Sequence, residues 1–266
     1  MRFPLVTLLV VIACSGRASR AQIAGPTGAE EVGVRQHLGA AVPLDIRLTD
    51  ESGRAFPLSH YMGARPVLLQ LVYFGCPMLC TQSLTGLGRA MNAMPESAGE
   101  QFDVLTVSFD PHENSELAAA KKINYLKGYK RPRASTGWRF LTGDADAIRH
   151  LTKSIGFEYH WDVRSSSFAH PSTVVVLTSD GRISHYIFGT EFDTGELHDA
   201  LLRAGPGKIG APAPAVFLYC LRYDPSRGKY SLMLSRVVQA GGMLTFASLA
   251  GFIGFSLVKE RRRNVS

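Results

Sequence analysis

The stretch Val67–Leu87, VLLQLVYFGCPMLCTQSLTGL, constrains the fold of this chain more than any other. An apolar run rich in branched and aromatic residues, Val67 to Phe74, stops at Gly75. A run that short and that apolar reads as a buried strand. Leu79, Leu84, Leu87 and Met91 then recur at helical spacing, and Gly75 and Pro77 suit a tight turn into the first helical turn. Cys76 and Cys80 therefore stand where a strand hands over to a helix N-terminus. The partial positive charge there favours thiolates over thiols. Thiolates serve both metal binding and disulfide exchange.

The rest of the chain alternates in a way that fits one parallel core. Leu44, Ile46 and Leu48 alternate ahead of the turn Asp50-Glu51-Ser52-Gly53, which predicts a strand and a hairpin. Phe102 to Phe109 is a second buried strand, followed by an Ala- and Lys-rich helix over about 115–130. Trp138–Leu141 is short and extended, Asp144–Ile155 helical, and Ser172–Leu177 a strand. Asp180-Gly181 turns the chain into Ile183–Phe188, and a last helix covers Asp193–Arg203. Strands separated by helices pair in parallel, and the late hairpin adds an antiparallel edge. The fold class expected is α/β, thioredoxin-like, with an N-terminal β-hairpin and an inserted helix, and with one C-terminal transmembrane helix.

That last helix comes from the ends of the chain, where most of the excess apolar content lies. Residues 1–21 read as an export signal: Arg2, an apolar core from Phe3 to Ala13, and a small-residue cleavage site at Ser19-Arg20-Ala21. Val11-Ile12-Ala13-Cys14 offers a competing lipobox, with Cys14 as the lipidated residue. Residues 22–41 read as a tether, 42–205 as the folded domain and 206–236 as a Pro-containing linker. Val237–Val258 carries no charged side chain, and at about 1.5 Å per residue it is long enough to span a bilayer. The basic tail, residues 259–266, predicts a cytoplasmic C-terminus. Together these place the domain on the periplasmic side of a bacterial inner membrane. The net charge of +7 is diffuse and densest at Lys259–Arg263, which argues for a membrane edge and against a nucleic-acid partner.

Four cysteines, Cys14, Cys76, Cys80 and Cys220, are too few for a disulfide framework. A redox dithiol of the thioredoxin kind has two intervening residues rather than three. Four-residue spacing on a helix still leaves the Cα atoms about 6 Å apart, within disulfide range. The same spacing suits two thiolates flanking a soft ion, and soft ligands in an oxidising compartment point to copper. A third ligand is expected at His170, in Phe168-Ala169-His170-Pro171, because a loop leading into the Ser172–Leu177 strand lies beside the cysteine-bearing strand. His37, His60, His150, His160, His185 and His198 read as solvated, and His112 as a surface residue. Cys220 reads as a buried apolar residue, with a resolving thiol as the alternative.

Several motifs in order resemble the Sco/SenC family of copper-binding, membrane-anchored assembly proteins. They are LTDESGRAFPLSHYMGARPVLLQLVYFGCPMLC, TVSFDP, KKINYLKGY, WRFLTG and FAHPSTVVVLTSDGRI. The resemblance covers about Val42 to Arg203. It implies Cys76, Cys80 and His170 as ligands for Cu(I) or Cu(II). It also implies a role in delivering copper to, or reducing the thiols of, the copper-bearing subunit of cytochrome c oxidase or another copper or thiol protein. Asp110 matches the family's Asp-Pro motif as a residue behind the ligands. Ala169 departs from the Asp often found before the histidine, and the anchor stands at the C-terminus rather than the N-terminus. The competing expectation is an exported thiol-disulfide oxidoreductase that uses Cys76 to attack and Cys80 to resolve, without metal.

Overall fold

The computed structural model describes residues 32–163, 165–212, 223–224, 229–230, 239, 241–243, 245–246, 248–249 and 251–253. The expected α/β order is present. Strand β1 (Val67–Val72) leads to helix α1 (Leu79–Ala93), β2 (Asp103–Ser108), α2 (Ser115–Gly128), β3 (Trp138–Leu141) and α3 (Ala145–Ser154). Then come β4 (Thr173–Leu177), β5 (Ile183–Phe188) and α4 (Thr194–Ala204). The five strands form one sheet in the order β5-β4-β1-β2-β3. All six residues of β1 are buried, as a central strand covered on both faces demands. Each fully buried aliphatic side chain in such a strand contributes about 1.5–3 kcal/mol.

Register explains how distant segments meet. β1 and β2 run parallel with Val72 opposite Ser108, so the loops that leave them lie side by side. β4 runs antiparallel to β1 with Leu177 opposite Val67 and Val174 opposite Gln70. The residues that enter β4 therefore arrive at the end of β1 from which the cysteines depart. β4 and β5 form the antiparallel edge, turning at Gly181, whose φ of 82° is left-handed.

The helices start where side-chain acceptors stop the chain. Asn114, Asp144 and Asp193 each accept a hydrogen bond from the backbone N–H three residues on. Helix α1 has no such cap on its flanking residue Met78. The N-terminal hairpin forms between Arg47–Thr49 and Ala55–Pro57. It is held to the sheet by Glu51, which accepts from Lys122 Nζ, from Arg139 Nη1 at 3.0 Å and from the Phe140 amide at 3.4 Å.

The tether ends earlier than its composition suggests. Gly33–Val34 pairs with Phe157–Glu158, and Ala41 bridges Arg182. A Gly/Ala-rich stretch offers no apolar pattern, yet its backbone completes a ladder that needs no particular side chain. Past residue 205, where the linker is expected to begin, the Gly210 amide donates to Ser184 O at 2.9 Å. Residues 1–31, with the export signal and Cys14, and residues 213–222, with Cys220, lie outside the described residues. Of Val237–Val258, only short helical pieces are described, with Met243, Phe246, Leu249, Phe252 and Ile253 exposed. Among the described residues no helix is long and apolar enough to cross a membrane.

Candidate metal centre

At the end of β1 the backbone leaves the ladder, and four consecutive amides find new partners. Tyr73 N donates to Cys80 Sγ at 3.4 Å. Phe74 N and Gly75 N donate to the two carboxylate oxygens of Glu113 at 2.6 and 2.5 Å. Cys76 N donates to Tyr73 O at 3.2 Å and closes the turn. The first turn of α1 takes its cap from a sulfur, since Cys80 N donates to Cys76 Sγ at 3.3 Å. A thiolate at that point meets helix amides that lack intrahelical partners. Cys76 and Cys80 are buried at 7% and 2% exposure and are not bonded to each other.

His170 completes the cluster. Its Nε2 lies 3.3 Å from Cys80 Sγ, and its Nδ1 lies 2.8 Å from the Pro171 carbonyl oxygen. A carbonyl only accepts, so the proton resides on Nδ1 and the Nε2 lone pair faces the sulfurs. The backbone of Pro171 thus orients the ring, the task that a carboxylate at position 169 would otherwise perform. Aromatic rings fix the imidazole further: Tyr73 at 5.7 Å, Phe109 at 5.2 Å and Phe157 at 6.4 Å between centroids. Behind it, Gln70 Nε2 donates to Ser83 Oγ, Ser172 Oγ donates to Ser83 Oγ, and each distance is 2.8 Å. That chain ties β1, α1 and the His170 loop together through side chains buried or nearly so.

The two sulfurs differ in charge. The hydrogen bond from the Cys80 thiol is the largest influence on Cys76 and brings its pKa down to about 3. Burial opposes this, while the amides of Cys80 and Met78 reinforce it. Cys80 moves the other way: burial first, then the charge on Cys76, pushes its pKa well above the ordinary thiol value. At neutral pH the pair therefore holds one thiolate and one thiol that share a proton. The Tyr73 phenol stays protonated beside them, chiefly through burial and its hydrogen bond with Cys76.

Cys76, Cys80 and His170, expected at one site, do come together: one donor atom from each lies within 4.8 Å of the others. Asp110 does not join them. Its carboxylate accepts from His112 N at 3.0 Å and contacts His112 Nδ1 at 2.9 Å, out in the loop. His112 is a surface residue, as expected, with a side chain 89% exposed.

His37 and His60 are exposed, as expected, with His37 Nδ1 2.9 Å from Ser154 O and His60 stacked on Phe56 at 4.2 Å, whereas His198 is half-buried and pairs with Glu96 at 3.0 Å. The half-buried His185 contacts Ser184 Oγ at 2.7 Å.

Two features escape a reading of the residues alone. One is the hairpin His160–Asp162 with Ser167–Ala169, whose second strand delivers His170. The other is Glu113, whose bonds run to backbone amides 38 and 39 positions away.

Comparison with known proteins bears directly on this geometry. The family model described as SCO1/SenC matches residues 36–204, from the N-terminal segment through α4 and across all three donor residues. A Stutzerimonas stutzeri protein provisionally named as copper-binding is 21% identical over 153 residues, which are 55% of this chain and 69% of that one.

Among solved structures, an Aquifex aeolicus VF5 protein provisionally named for electron transfer is 28% identical. It aligns over 64% of this chain and 95% of its own, with a TM-score of 0.57. BsSco is described as carrying a disulfide switch and as a member of the Sco family of cytochrome c oxidase assembly proteins. It is 15% identical over 65% of this chain and 99% of its own, with a TM-score of 0.51, a likeness that speaks for the fold. The motif order, the mixed sheet and the family match over residues 36–204 agree, and the chain belongs to the SCO1/SenC family.

Proposed function

We propose that this protein is a copper chaperone that binds copper through Cys76, Cys80 and His170 and supports assembly of the copper-bearing subunit of cytochrome c oxidase. The convergence of two sulfurs and one imidazole nitrogen within 4.8 Å carries this reading. Two sulfurs and one nitrogen are a soft donor set, which favours copper over the hard cations. The copper-binding name of the Stutzerimonas stutzeri relative and the oxidase-assembly description of BsSco support the same reading. Three protein donors leave a further coordination position open, so the ion can pass to a partner by ligand exchange.

The same reading puts the domain outside the cytoplasm, held at a bacterial inner membrane by Val237–Val258 with the basic tail inside. The supporting features are the apolar start of the chain, the uncharged Val237–Val258 and the Lys259–Arg263 cluster.

Copper titration against a chromophoric Cu(I) chelator tests the proposal. His170→Ala should weaken binding by more than about 100-fold, since loss of even a residue behind a ligand costs about 10–100-fold. The single low-pKa sulfur, Cys76, also favours a second reading, a thiol-disulfide oxidoreductase. Under that reading His170→Ala leaves dithiol exchange nearly unchanged, and wild-type protein retains no copper under reducing conditions.

A further inference from the structure

Glu113 stands on the loop between β2 and α2 and is not one of the three donor residues, yet its carboxylate takes two of the four amides that shape the cysteine turn. Oε2 accepts from Phe74 N at 2.6 Å and Oε1 from Gly75 N at 2.5 Å, so each oxygen holds one of two consecutive N–H groups. Ser108 Oγ also donates to Oε2. Paired backbone amides of this kind form a concavity suited to an anion. Here a side chain of the same protein fills it. The carboxylate is thus held by two backbone amides and one hydroxyl.

The fit leaves little slack. A Cβ built on Gly75 would stand 3.2 Å from Glu113 Oε1, so any larger residue there presses on the carboxylate. Glu113 itself is fixed from its own side. Its amide donates to Asp110 O at 3.2 Å, and the next residue, Asn114, caps α2. Parallel pairing of β1 with β2 sets the two loops next to each other, and Phe109 N donates to Val72 O at 2.8 Å where the strands part.

We infer that Glu113 is the positioning residue of the metal centre, a two-point clamp that holds the Tyr73–Cys76 turn so that the Cys76 sulfur faces Cys80 and His170. This rests on the reading of those three residues as copper ligands. Without the clamp, two amides next to Cys76 lose their acceptors, and the turn relaxes to satisfy them with water. The ligand geometry then has to be rebuilt each time the ion binds, and affinity falls.

Two variants separate positioning from general support. Glu113→Gln keeps the shape but sets an NH2 group against one of the two amides, which breaks the clamp. Ser108→Ala removes the hydroxyl from the same carboxylate and leaves both amide bonds. Cu(I) affinity by chelator competition and the EPR spectrum of the Cu(II) form are read alongside thermal midpoints.

Glu113→Gln should lose about 10-fold or more in affinity, roughly 1.4 kcal/mol, and broaden or shift the EPR signal. Ser108→Ala should lower the midpoint while affinity and spectrum stay as in wild type. Wild-type affinity and spectrum in Glu113→Gln would overturn the inference. So would losses in both variants that track their midpoints, since that marks mere structural support. Failure of the wild type to bind copper removes the underlying reading instead, and so is distinguishable.

Discussion

Cys80→Ser is expected to abolish copper binding, a loss of at least about 1,000-fold or roughly 4 kcal/mol. Cys80 Sγ is the hub of the site: it accepts from Tyr73 N, lies 3.3 Å from His170 Nε2 and donates to Cys76. A serine oxygen fits the space but is a hard, neutral donor that Cu(I) binds poorly. The serine hydroxyl can still donate to Cys76, so the loss reports the missing sulfur ligand itself. The measurement is copper retained after gel filtration in the presence of a competing chelator. Retention within about 10-fold of wild type would show that Cys80 is not a ligand. The thermal midpoint should stay close to wild type, because serine conserves the buried volume to within one atom.

Gly86→Ala should destabilise the fold by about 2–3 kcal/mol, although alanine is ordinarily the better helix former by about 1 kcal/mol. Gly86 lies on the buried side of α1, where the helix meets the backbone of the loop ahead of α4. A Cβ there would stand 1.9 Å from Thr190 O and 3.0 Å from Thr190 C, so backbone must move. A domain of this size loses about 2–4 °C of thermal midpoint per kcal/mol, hence a fall of about 4–12 °C.

Gly88→Ala supplies the control on the same helix. Its Cβ would meet only a ring atom of Trp138 at 3.7 Å, an ordinary contact, so that variant should match or exceed wild type. Equal midpoints for the two alanine variants would refute the close approach of α1 to the Thr190 loop. Because α1 carries Cys80 in its first turn, Gly86→Ala should also weaken copper binding, whereas Gly88→Ala should not.

The parts of this protein that were readable from its residues are those in which side-chain pattern decides structure. β1 is buried along its length, and VLLQLV announces that directly. Asn114, Asp144 and Asp193 mark helix starts because a short polar side chain reaches the free amides. His170 lies beside the cysteines because the loop before β4 returns next to β1 in this sheet order.

What stayed hidden depends on backbone. The His160–Asp162 and Ser167–Ala169 hairpin is three residues a side, too short for the alternation in His160-Trp161-Asp162 to mark a strand. Gly33–Val34 joins Phe157–Glu158 through main-chain atoms alone. Glu113 resembles any charged loop residue until its oxygens are seen on the amides of Phe74 and Gly75. Asp110 illustrates the reverse: its Asp-Pro motif marks the loop correctly, but the carboxylate is spent on His112.

The central claim is that one ion is held by two sulfurs and one imidazole nitrogen. X-ray absorption at the copper edge of the purified, Cu(I)-loaded chain measures that directly. The account predicts one copper per chain with two sulfur neighbours and one nitrogen neighbour, and loss of the nitrogen shell in His170→Ala. A first shell of sulfur alone in the wild type, or of nitrogen and oxygen alone, would contradict it.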